Sequence, residues 1–315
     1  MLDLQVVLRA MGILRRHNAG AGLLLAFGAI ASACSTAAPT ASPTATTAPT
    51  SEATFTAAVP TPTKLASTAT PEPTAESETE SVIQYVTAYA YLDRGDFVEA
   101  EKYFNTVVEL EPGFARAWDG RGQARMFNGE VEEALLDFDR AISLKPNLAQ
   151  AYAHRAFARV TTGDSAGAER DAEKSLALNA DQLDAHIVLG RLLAESGRFD
   201  EALERFDRAV ALAPLEGSVY WWRGRFFRDF AEDYERSKAD FDRAVDHSPA
   251  QATIYIDRAL LEIYAGRRFD VIRADLEEAI SLAEEPRLPD VLDRAEYLLN
   301  LINEAEATGA PIIVP

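Results

Sequence analysis

The chain has 315 residues, with 31 Lys and Arg against 50 Asp and Glu, for a formal net charge of -19. So acidic a balance repels phosphate backbones and excludes non-specific nucleic-acid binding. With one cysteine, Cys34, the chain has no internal disulfide and no Cys-based metal site, and its four histidines (His17, His154, His186, His247) show no metal-ligand spacing.

At the N-terminus, Arg9, Arg15 and Arg16 precede an uncharged run from Asn18 to Ala33, which ends in Ala31-Ser32-Ala33 just before Cys34. A basic region, an apolar region and a small-residue site read as a secretory signal peptide over residues 1–33. The apolar run is short for a membrane span, which takes about 20 residues. Small residues directly before the lone cysteine resemble a bacterial lipobox. That resemblance implies a lipidated Cys34 carrying a diacylglycerol, and stable anchoring on the extracytoplasmic face of the cell membrane. Ala31 stands where the lipobox has Leu, and Ala31-Ser32-Ala33 also meets the A-x-A rule, so plain secretion with a free thiol is the alternative. Residues 34–80 then collapse to Thr, Ala, Pro and Ser, a composition that cannot bury enough surface to offset its ordering entropy. As a disordered linker it spans about 40 Å as a coil and about 140 Å extended.

From residue 81 the chain repeats. Trp118 is followed four residues on by Gly122, and Ala134, Phe138, Ala141 and Pro146 complete a unit that returns when the frame is shifted by 34. This order resembles the tetratricopeptide repeat, a helix-turn-helix unit. The resemblance implies an all-α solenoid of about six repeats over residues 81–286, with units starting near Ser81, Ala115, Ala149, Leu183, Gly217 and Ala252. Each has a turn glycine (Gly95, Gly129, Gly163, Gly197, Gly266) except the fifth, where Phe230 to Tyr234 make a turn one residue longer. The third unit has Ala172 where others have Phe or Leu, and Ala180 where others have Pro, so it is expected to pack less well. Residues 287–308 read as a capping helix with Leu288, Val291, Leu292, Ala295, Leu298, Leu299 and Ile302 on one face. Residues 309–315 form a tail.

Comparing the units with one another predicts an ion pair. Helix A carries Arg121, Arg155, Arg223 and Arg258 at its seventh position, and helix B of the same units carries Asp137, Asp171, Asp240 and Asp275. The first unit has Thr87 and Tyr103 there, the fourth Leu189 and Arg205, so Arg and Asp occur together or not at all.

In the repeat family, helix A lines a concave groove through its second, fifth, ninth, twelfth and thirteenth positions. Carried onto this chain, the resemblance implies a groove including Tyr85, Tyr89, Phe127, Phe157, Ile187, Arg191, Trp221, Arg225, Arg228, Ile256 and Tyr264. Aromatics beside arginines suit a peptide with apolar anchors and a carboxylate. The Lys/Asn clamp of some family members is absent, and its ligand is not carried over. No P-loop, GxSxG or dinucleotide fingerprint occurs, and the carboxylates recur with the repeat as solvated faces do. The sequence therefore predicts a non-enzymatic, lipid-anchored scaffold of the bacterial cell envelope that binds a protein or peptide partner. It predicts no cofactor, no metal, no nucleic acid and no small-molecule substrate. The alternative is a structural protein, secreted or anchored, that self-assembles through the array.

Overall fold

The computed structural model describes residues 75–266, 269–284, 288–309 and 312, and every element among them is helical. The signal segment, Cys34 and the linker lie outside the described residues, as does most of the tail. The helices are α1 (Ala75–Arg94), α2 (Phe97–Leu110), α3 (Ala115–Phe127), α4 (Val131–Leu144), α5 (Ala149–Thr161), α6 (Ser165–Leu178), α7 (Leu183–Glu195), α8 (Phe199–Leu212), α9 (Gly217–Asp229), α10 (Tyr234–His247), α11 (Ala252–Tyr264), α12 (Phe269–Glu284) and α13 (Pro289–Thr308). They form six stacked hairpins, and α13 packs on the last. Successive odd helices touch one another while successive even helices do not, so the odd helices make the inner layer of the stack and the even helices the outer.

The hairpin turns follow from backbone chemistry. The second hairpin is representative: Gly129 adopts φ +86, Glu130 donates its N–H to the Arg125 carbonyl at 2.9 Å, and Gly129 donates to Met126 at 3.2 Å. That bonding satisfies the last carbonyls of α3 and requires a left-handed residue, which glycine supplies without a Cβ clash. The fifth hairpin has no glycine to give, and Glu232 takes the left-handed conformation instead, at φ +51. The added residue lets Asp233 start α10, its carboxylate accepting the Arg236 N–H at 2.9 Å.

Within a hairpin, a glycine on the odd helix lets a ring on the even helix lie against the backbone. A Cβ on Gly122 would come within 2.6 Å of the Phe138 ring, and one on Gly190 within 2.9 Å of Phe206. The third hairpin trades the volumes: Ala156 stands where the second, fourth and fifth have glycine, opposite Ala172, and both are fully buried. A cleft of about 460 Å³ opens where the third hairpin meets the fourth, between the start of α6 (Ser165, Ala166, Glu169) and α7 (Leu189, Leu192, Leu193). At the far end, α13 buries Val291, Ala295, Leu298 and Ile302 against Ile272, Leu276 and Ala279 of α12.

The arginines at the seventh position tie the layers together. Arg155 donates Nε and Nη2 to the two oxygens of Asp171 at 2.7 and 2.6 Å, and its remaining Nη1 to Asp139 of the preceding hairpin at 2.5 Å. Arg121 makes the same fork on Asp137 (2.8 and 2.6 Å) and reaches back to Asn105 (2.9 Å). Arg223 binds Asp240 and Asp207, and Arg258 binds Asp275 and Asp242. The pair inferred within each unit is thus also a link between units. Each guanidinium also stacks on the aromatic residue three positions earlier, at 4.6 Å for Arg121 over Trp118 and 5.5 Å for Arg155 over Tyr152. That aromatic in turn anchors the turn between hairpins: Trp118 Nε1 donates to the Pro112 carbonyl at 3.0 Å, and Tyr220 and Tyr255 donate to Pro214 and Pro249. The fourth hairpin lacks the set. His186 replaces the aromatic, with Nε2 3.0 Å from the Ala180 carbonyl, and Leu189 and Arg205 replace the ion pair.

Two outcomes follow for stability, readable by urea denaturation. Asp171 accepts from both Arg155 and Arg159, so Asp171→Ala strands two guanidinium groups and costs about 4 kcal/mol, more than Asp275→Ala at about 3 kcal/mol. Replacing Glu232 by Gly relieves the left-handed conformation and raises stability by about 1 kcal/mol. A loss on Glu232→Gly contradicts the turn assignment.

Candidate functional site

The inner layer is where the sequence places a groove, and its residues divide into two groups. Phe157, Ile187, Trp221 and Ile256 are buried to 3% exposure or less, and are not groove residues. They fill the seams among the odd helices: Phe157 on α5 meets Trp222 on α9 edge-on at 5.6 Å, and Trp221 donates Nε1 to Asp257 of the next odd helix at 2.7 Å. Spacing along one helix cannot separate a residue facing open space from one facing the neighbouring helix a few tens of degrees away. Arg228 is likewise a structural residue, forked onto Asp229 (2.6 and 3.2 Å) and bonded to Asp257 (2.8 Å) in the buried interior. Tyr85 and Tyr89 pack edge-on against each other and against Phe104, and burial raises both phenols above the usual range. Phe127 is half-buried and stacks on Phe97 at 4.7 Å.

Of the remaining three groove residues one is exposed and two are half-buried. Tyr264 is 53% exposed, at the end of α11. Arg191 pairs with Glu195 one turn on at 2.8 Å. Arg225 stacks beside Trp221 and Trp222, 5.1 and 5.4 Å from their ring centroids. Arg191 and Arg225 line one cavity of about 100 Å³ with Ala194, Glu195, Phe206, Trp222, Phe226, Asp229 and Phe230.

A second polar feature of the inner layer has no repeat signature. His154 on α5 lies between two buried aspartates, its Nδ1 2.8 Å from Asp119 on α3 and its Nε2 3.4 Å from Asp184 on α7. Gln123 donates to the other Asp119 oxygen at 3.4 Å. The three charged residues occupy the fifth, sixth and second positions of their helices, so comparing units in register does not reveal them. Burial pulls the imidazolium toward deprotonation, but Asp119 and Asp184 outweigh it and push His154 up to about 10. The charged ring therefore clamps three consecutive inner helices.

These residues offer ion pairing and hydrogen bonding, and both nitrogens of His154 face carboxylates. Among the described residues no group of three or more His, Cys, Asp or Glu side chains is placed to hold a metal ion.

Residues 85–149 and 159–221 match family models described as tetratricopeptide repeat, and those two segments carry such repeats. Among solved structures, the APC/C hetero-tetramer Cut9-Hcn1 aligns with a TM-score of 0.55 and 20% identity, covering 69% of this chain and 43% of that one. The chain thus spans less than half the length of that relative. MamA aligns with a TM-score of 0.39 and 19% identity over 56% of this chain and 96% of that one. YrrB, titled a TPR protein with an unusual peptide-binding site, aligns with a TM-score of 0.37 and 20% identity over 61% and 97%. At such identities the likeness to Cut9-Hcn1 shows the fold alone. No curated protein matches the chain.

The clamp predicts a pH dependence. The folded state holds the His154 proton up to about 10, whereas an unfolded histidine releases it near 6.5. The stabilisation is complete below the lower value and is lost as pH rises through the higher one. Urea denaturation should show wild type losing stability from pH 7 to 10, and His154→Gln lacking that slope. Equal slopes in the two proteins remove the clamp.

Proposed function

We propose that the chain is a non-enzymatic interaction scaffold, lipid-anchored at the bacterial cell envelope, that holds a peptide segment of a partner protein along the inner face of its odd helices. The fold is one whose stacked hairpins present an extended surface. The observation that carries the binding role is the cavity between α7 and α9, where Arg191 and Arg225 stand among Trp222, Phe226 and Phe230. Aromatic and arginine side chains around a partly enclosed space are the residues that anchor protein interfaces. The anchor rests on the sequence before Cys34 and on the linker, whose reach sets the array clear of a membrane surface.

The two halves of this reading are tested separately in cells. Cys34→Ser should move the protein from the membrane fraction to the soluble extracytoplasmic fraction, and an unmodified Cys34 in the wild-type mass spectrum would end the lipoprotein assignment. Crosslinking and recovery from membranes should lose at least about tenfold of the wild-type partner in the Arg191→Gln, Arg225→Gln double variant. Unchanged recovery with native helical content removes the inner face as the binding surface. Trp221 is unsuited to this test because it is fully buried.

A further inference from the structure

Arg225 differs from the other arginines bonded within the inner layer. Arg121, Arg155, Arg223, Arg228 and Arg258 each fork onto a carboxylate. Arg225 has its Nε–H buried with no acceptor in hydrogen-bond range. Its nearest carboxylate oxygens are on Asp229 at 3.8 Å and on Asp257 at 4.0 Å. Both of those carboxylates are engaged by Arg228, Asp257 also accepts from Trp221, and Glu195 is engaged by Arg191.

Trp222 lines the same cavity, is 4% exposed, and its indole N–H also has no acceptor. The two residues that carry these orphaned donors thus line one small space, and no residue with an orphaned acceptor lines it. A buried donor left unpaired costs on the order of 1–3 kcal/mol, more when charged, so this pair calls for an occupant. The occupant must offer acceptor oxygens. An anion suits the cavity best: burial disfavours the charge on Arg225, Asp257 and Asp229 stand at 4.0 and 3.8 Å without hydrogen-bonding to it, and Arg228 and Arg191 add like charge nearby. A single negative charge suits the site better than two, since Glu195 and Asp229 also line it. Phe206, Phe226 and Phe230 supply an apolar wall for the carbons attached to that anion.

We propose that this cavity is a carboxylate-binding pocket, in which Arg225 and Trp222 donate to a carboxylate of the bound peptide and Arg191 turns from Glu195 to assist. The proposal deepens, and rests on, the peptide-binding reading of the inner face. The carboxylate belongs either to an acidic side chain or to the peptide's chain terminus, and the two are separable with small probes.

The test follows the Arg225 Nε–H resonance of ¹⁵N-labelled full-length protein, assigned by its absence in Arg225→Gln. Five probes are titrated at matched ionic strength: N-acetyl-glutamate amide and N-acetyl-glutamine amide for the side chain, N-acetyl-leucine and N-acetyl-leucine amide for the terminus, and inorganic phosphate. At least one carboxylate should shift the resonance saturably, with an apparent Kd about tenfold or more below that of its neutral amide. The responding pair identifies the source. Arg225→Lys keeps the charge but loses the fork, and should weaken that probe about tenfold with circular dichroism unchanged. No saturable shift with either carboxylate, equal binding of carboxylate and amide, or tighter binding of inorganic phosphate each overturns the proposal. Because the probes need no cellular partner, a failed pocket and a failed partner capture are read independently.

Discussion

The array depends on one contact made four times: a guanidinium that forks onto its own hairpin and reaches back with its remaining nitrogen to the hairpin before. The fork on Asp171 closes the third hairpin, and the bond to Asp139 fixes how that hairpin sits on the second. A solenoid has no long-range contacts to enforce its geometry, so such nearest-neighbour links carry both stability and shape. The charges are affordable because each buried carboxylate is saturated by the planar fork; the acceptor on the preceding hairpin is more exposed, 56% in the case of Asp139, and contributes direction more than energy. In three of the four, the aromatic that underlies the guanidinium (Trp118, Tyr220, Tyr255) also bonds the turn carbonyl, so one residue triplet sets turn, hairpin and stack together.

The fourth hairpin shows what the triplet does by lacking it. His186, Leu189 and Arg205 depart together, and the cleft lined by Leu189, Leu192 and Leu193 lies at that junction. Continuity across it comes instead from the apolar seam of Ile187, Val188 and Leu183 with Phe157 and Ala172, and from the buried His154 charge that reaches Asp184. A short imidazolium bridging two inner helices substitutes for a long guanidinium bridging two outer ones.

Much of this was legible in the sequence, and the unread part has a physical cause. The period of 34, the turn glycines and the co-occurrence of Arg121 with Asp137 are properties of one unit repeated, so comparison of units exposes them. The backward bond was not legible, because its acceptor changes from Asn105 to Asp139 and lies in the adjacent unit. The Asp119, His154 and Asp184 chain was invisible because each residue sits at a different register position. The groove assignment failed at Trp221 and Phe157 because adjacent inner helices lie against each other, and their large side chains are consumed in the seam. Arg225 was legible as a cation in an acidic chain, but its lack of an acceptor was not: that depends on Arg228 having taken both neighbouring carboxylates.

The distribution of charge then constrains the kind of segment that the inner face would hold. Arginines are drawn into the layers and neutralised there, while acidic residues such as Asp139, Asp207 and Asp242 keep their second faces toward water. The excess of acidic residues over basic ones is therefore an outward field, acting over roughly a Debye length, about 8 Å at physiological salt. A uniformly acidic peptide would be repelled before it reached Arg225, whatever the pocket offers. A segment that is neutral or basic along its length, with one carboxylate to seat, is attracted at a distance and recognised at contact. Long-range charge and short-range hydrogen bonding then select on opposite signs, which is a more stringent filter than either alone.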